Sequence, residues 1–150
     1  MKLKSVVILG LFLFALCGFS AVYADTFVVG NSSFSLPDGY MLQESGDHVI
    51  LSNDEYVMTM YEGQIIDTNM ARTNRINSGY TLMGEQNYTF GKAKINQQNY
   101  MKDGIISCVY TVKKYGQSYI ITLNLYDNQT VPEYEDNPVT MIIDTLEPNK

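Results

Sequence analysis

Ile105-Ile106-Ser107-Cys108-Val109-Tyr110-Thr111-Val112-Lys113 and Ser118-Tyr119-Ile120-Ile121-Thr122-Leu123-Asn124-Leu125-Tyr126 flank the connection Lys114-Tyr115-Gly116-Gln117. On the first segment Ile106, Cys108, Tyr110 and Val112 fall at every second position. On the second, Tyr119, Ile121, Leu123 and Leu125 do the same. Successive side chains of a strand point to opposite faces, so this spacing predicts two strands with one buried face each. The short glycine-containing connection predicts that they form a hairpin.

Turn signals recur every 8–12 residues through the rest of the chain, as in a sheet-rich domain. Thr26–Val29 reads as a first strand, ended by Gly30-Asn31. Phe34–Leu36 follows and stops at Pro37-Asp38-Gly39. Tyr40–Glu44 and His48–Ser52 flank the tight turn Ser45-Gly46-Asp47, and Tyr56–Glu62 alternates. Asp67–Ser78 breaks the alternation. Asp67 can cap a helix, Gly79 can close it, and Ile66, Met70, Thr73 and Ile76 or Asn77 trace a poor apolar stripe. Thr81–Phe90 and Lys92–Asn96 read as strand or loop, and Gln97–Lys102 as a further candidate strand. The chain closes on a second helix. Asn137 caps it, Pro138 suits its first turn, and Val139, Ile142, Ile143 and Leu146 make a stripe suited to packing on a sheet. The expected fold class is therefore α+β: an antiparallel β-sheet with a middle helix and a C-terminal amphipathic helix packed on it.

Within that order, Phe34-Ser35-Leu36-Pro37-Asp38-Gly39-Tyr40 is similar to the opening turn of the PsbP-like family. The hairpin from Val109 to Leu123, with Tyr110, Gly116 and Tyr119, resembles its central strands, and Val139–Leu146 resembles its final helix. The match spans most of Phe34–Leu146. The resemblance implies a small α/β/α sandwich and little more, since members include a photosynthetic accessory subunit, a nuclear-transport factor and many secreted proteins without a known role. No catalytic residue is carried over.

The first 24 residues set the expected location. Lys2 and Lys4 precede the apolar run Val6–Leu16, and Val22-Tyr23-Ala24 places small residues ahead of Asp25. This is the pattern of a secretory signal peptide, and the run is short for a membrane span; the rival readings are an uncleaved anchor and a lipoprotein signal ending at Cys17, which Leu16 directly before the cysteine disfavours. The expected products are a leader over 1–24 and a single domain over 25–150, secreted or in the cell envelope, with no transmembrane span in the mature chain. Removing Lys2 and Lys4 from the ten basic residues leaves eight against 16 acidic ones, a net charge of −8. That balance argues against a nucleic-acid partner, which needs clustered Lys and Arg. Cys17 leaves with the leader, so the remaining Cys108 has no internal disulfide partner.

No catalytic residue, cofactor or metal site is expected. His48 is the only histidine and reads as a turn residue, and Cys108 as a core thiol. Asp127, Glu133, Glu135 and Asp136 offer oxygen donors suited to calcium but match no EF-hand spacing. Asn31, Asn87 and Asn128 each begin a glycosylation sequon. Tyr40, Tyr56, Tyr61 and Tyr126 are candidates for a ligand surface, because tyrosine joins apolar area to a polar tip. The leading functional expectation is a non-catalytic binding or accessory module whose partner is a protein or another cell-envelope component. The alternatives are a small-ligand or calcium-binding protein, or a hydrolase using carboxylates such as Glu62, Asp67 and Glu85.

Overall fold

The computed structural model describes residues 25–64, 67–126 and 128–150. The leader read at 1–24, Ile66 and Asp127 lie outside the described residues. In chain order the elements are β1 (Thr26–Val29), β2 (Ser32–Ser35), β3 (Met41–Ser45), β4 (His48–Ser52), β5 (Val57–Gly63), α1 (Thr68–Asn77), β6 (Thr81–Phe90), β7 (Ala93–Lys102), β8 (Ile105–Lys114), β9 (Gln117–Leu125), α2 (Pro138–Thr145) and β10 (Glu147–Pro148).

The strands form two sheets, antiparallel throughout. Seven strands run in the order β3-β4-β5-β9-β8-β7-β6, and three in the order β1-β2-β10. The expected α+β class is thereby corrected. Strands hold 54 % of the described residues and helices 15 %, so the fold is mostly β with two short helices. Two physical reasons account for the difference. Ala93–Asn96 and Gln97–Lys102 are one ten-residue strand, β7, paired along its length with a ten-residue β6, and Lys92 belongs to the turn between the two strands. The middle helix α1, meanwhile, buries no side chain and contributes no layer to the core.

The hairpin quoted above is present, from Ile106↔Leu125 to Lys114↔Gln117. Tyr115 and Gly116 both have positive φ, at 52° and 80°. That pair of values matches the right-handed twist of the strands it joins. The expectation of one buried face is too narrow, however. Cys108, Tyr110 and Val112 face inward, and Ser107, Val109 and Thr111 on the outer face are buried as well.

The inner face of the large sheet carries the main core. Met58, Met60, Cys108, Tyr110, Val112, Tyr119, Ile121 and Leu123 pack there against Val139, Ile142, Ile143 and Leu146, with Val29 and Phe34 of the small sheet completing the cover. Lys114 is 7 % exposed and ties α2 to β8, its Nζ donating to the carbonyls of Ile143 (2.7 Å) and Asp144 (2.9 Å). A cation at a helix C-terminus meets carbonyls that have no partner within the helix. On the outer face, Tyr100, Val109 and Ile120 form a smaller cluster with Tyr61, Tyr80 and Leu82. Among the described residues, no helix is long and apolar enough to cross a membrane.

Candidate functional site

A cleft of about 500 Å³ opens on the inner side, between the β6–β7 pair and the segment 131–137 that leads into α2. Register builds one wall. Gln86 lies opposite Gln97, and Gln97 lies opposite Tyr110. Strand alternation therefore aims Gln86, Tyr88, Gln97 and Asn99 to the same side. Their polar ends are chained. Gln86 Nε2 donates to Gln97 Oε1 (2.9 Å), Tyr88 OH donates to the same oxygen (3.3 Å), and Gln97 Nε2 donates to Asn99 Oδ1 (3.1 Å).

The second wall comes from the α2 cap. Asn137 accepts the Val139 amide at Oδ1 (3.0 Å) and donates from Nδ2 to Tyr110 OH (2.8 Å). One side chain thus caps a helix and fixes a core phenol. Thr140 Oγ1 donates to the Tyr134 carbonyl (2.9 Å) and holds the loop in place. The Tyr134 ring meets Phe90 edge-on at 5.0 Å and Tyr88 at 6.4 Å. Burial, and to a lesser degree Tyr134, pushes the Tyr88 phenol up to about 12. Burial likewise raises the Tyr110 phenol. Both stay neutral at ordinary pH, so the cleft presents uncharged donors and acceptors, with Glu133 the one carboxylate in its lining.

The four tyrosines singled out in the sequence do not share a surface. Tyr40 and Tyr56 pack beside the main core, and Tyr40 is pushed up to about 12 by burial and then by Tyr56 and Glu55. Tyr61 stacks near His48 (4.7 Å between centroids) on the outer face, and Tyr126 is exposed at the end of β9. Sequence reasoning missed Tyr88 and Tyr134. The available signal was carboxamides two apart, Gln97 and Asn99, on a strand that alternation alone had split.

All three sequon asparagines are exposed: Asn31 in the β1–β2 turn, Asn87 on β6, and Asn128 after β9. The carboxylates Glu62, Asp67 and Glu85 do not converge. Glu62 accepts the Asn31 amide (2.8 Å), Asp67 caps α1, and Glu85 binds Arg72 on the outer face. Hydrogen bonds from Gln98 and Asn96, then the Arg72 contact, hold the Glu85 carboxyl below its usual range. That shift opposes general-acid work, which needs a raised value. Among the described residues, no three His, Cys, Asp or Glu side chains gather to hold a metal.

Cys108 is fully buried, and burial pushes its thiol up to about 12. A thiol in that state is a poor nucleophile. Native protein is expected to leave Cys108 unmodified by iodoacetamide, with full labelling once urea unfolds the chain. Rapid labelling of the folded protein would contradict this placement.

Comparison with protein-family models and with curated proteins gives no match to this chain.

Proposed function

We propose that the protein is an exported, non-catalytic binding module that takes an extended, uncharged peptide segment of a cell-envelope protein into the cleft between β6–β7 and residues 131–137. The observation that carries this reading is the lining. The accessible carboxamides of Gln86 and Asn99 stand beside the phenols of Tyr88 and Tyr134, backed by the buried Gln97 and Asn137, and no acid–base pair stands among them. Carboxamides match peptide amides in both donor and acceptor, while tyrosines supply apolar contact at little entropic cost. The leader-like residues 1–24 support export, and the net charge of −8 left after them suits a partner other than nucleic acid.

The test is retention of a partner from envelope extract by immobilised protein, compared with the variant Tyr88→Ala/Tyr134→Ala. Truncating aromatic anchors costs about 2 kcal/mol or more, so the variant is expected to bind roughly thirtyfold more weakly. Equal retention by both proteins, or none above background by either, would remove the cleft reading.

A further inference from the structure

The strand β6 closes one edge of the large sheet, and apart from a bulge near its start and the single charge of Glu85 it lacks the devices that usually protect an edge. It runs ten residues, against five for β3 at the far edge, and contains neither Lys nor Pro. Lysine, proline and short length are the common guards against pairing with another chain. Its one charge, Glu85, is already matched by Arg72 of the same chain. Among the described residues, nothing outside β7 hydrogen-bonds to the β6 main chain. The bulge between Leu82 and Gly84 leaves Gly84–Phe90 as a regular seven-residue segment.

We propose that β6 pairs antiparallel with β6 of a second copy of this chain, about a two-fold axis midway between Asn87 and its own symmetry mate. The sequence of the segment selects the register. A two-fold axis perpendicular to a continuous sheet keeps each face on its own side, so opposed residues must share a face and the axis must pass midway between one residue and its own symmetry mate. An axis at Glu85 would oppose two carboxylates, a repulsive pair. An axis at Asn87 uses all seven residues. It sets Gln86 against Tyr88 of the second copy, Glu85 against Thr89, and Gly84 against Phe90, whose ring covers the bare glycine. The Nδ2 group of Asn87 is free to meet its own symmetry mate, because the Asn96 contact uses only its Oδ1 (3.0 Å).

Two consequences follow from this axis. Gln86 and Tyr88 line the cleft, so pairing sets the two clefts side by side. Asn87 also begins a sequon, so a glycan on that residue and pairing through β6 exclude one another. The pairing itself does not depend on what the cleft binds.

Sedimentation velocity of the full-length, unglycosylated protein over a concentration series is expected to show a monomer–dimer equilibrium. Asn87→Lys places two ammonium groups face to face on the axis and should raise the dimer dissociation constant by about tenfold or more. Asn87→Ser should leave it within about threefold, and unchanged melting midpoints establish that both variants are folded. Asn87→Cys should cross-link to itself under mild oxidation, since opposed Cα atoms in a sheet lie within disulfide range. Glu44→Cys on β3 should not. A monomer at every concentration, a dimer indifferent to Asn87→Lys, or failure of Asn87→Cys to cross-link would each overturn the proposal.

Discussion

Replacing Ile142 with alanine is expected to lower the unfolding free energy by about 2–5 kcal/mol, the range for removing a buried aliphatic side chain without full collapse of the cavity. Ile142 is completely buried, in contact with the same cluster as Ile143, Val139 and Leu146. The helix that carries it has eight residues. A helix of that length does not persist alone in water, so its stability comes from the surface it buries. The loss also reaches the candidate site, because Asn137 at the head of α2 holds Tyr110 and borders the cleft. Urea unfolding followed by circular dichroism should show a lower midpoint with an unchanged slope. Met141, one position away on the same helix, is 49 % exposed. Its alanine variant should lie within about 0.5 kcal/mol of the parent. Equal effects at 141 and 142 would mean that α2 is not seated as described.

Alternation made some strands readable and hid others. The hairpin from Ile105 to Leu125 and the strands β4 and β5 pack a distinctly apolar face, and their boundaries follow from sequence within a residue or two. The outer strands β6 and β7 behave differently. Glu85-Gln86-Asn87 and Asn96-Gln97-Gln98-Asn99 are polar on both faces. Their side chains bond to one another and to α1 rather than to a core, so no period of two in hydrophobicity marks them. Gln98 Nε2 illustrates this, donating both to Glu85 Oε1 (2.9 Å) and to the Thr68 carbonyl (3.2 Å). The turn Asp103-Gly104, with φ of 52° and 80°, was a legible hairpin signal between β7 and β8. Reading it would have joined Gln97–Lys102 to the meander.

The helix α1 was legible for its cap and misleading for its stripe. Asp67 Oδ1 accepts the amides of Asn69 (2.9 Å) and Met70 (3.2 Å), as a capping aspartate should. Yet Met70 and Ile76, apolar members of that stripe, are 61 % and 47 % exposed. Polar contacts hold the helix instead: Arg72 to Glu85, Arg75 over the rings of Tyr80 and Tyr100, and Lys102 Nζ to the Ser78 carbonyl (2.9 Å). Hydrophobic periodicity carries no information about a helix attached this way. The cleft was hidden for a related reason. Its walls come from β6–β7 and from residues 131–137, segments brought together only by the long-range packing of α2.

Gly30→Ala is expected to cost about 2–4 kcal/mol, from two separable causes. The backbone at Gly30 has φ of 58°, in the left-handed region where an added Cβ is strained. That Cβ would also lie 2.7 Å from both Cβ and Oε2 of Glu62 and 2.9 Å from its Cδ. The closeness is built into the attachment of the small sheet. Glu62 Oε2 accepts the Asn31 amide and, at 3.1 Å, the Ser32 hydroxyl, whose oxygen lies 2.6 Å from Tyr119 OH. Pushing Glu62 away therefore loosens the β1–β2 turn and, with it, Phe34 in the core. Background substitutions distinguish the causes. In a Glu62→Ala background the Cβ–Cβ contact remains, so most of the penalty should remain. In a Glu62→Gly background the steric part disappears and only the strained backbone, about 1–2 kcal/mol, is left. A penalty equal in all three backgrounds would assign the whole cost to backbone conformation and none to the fit of the turn against β5.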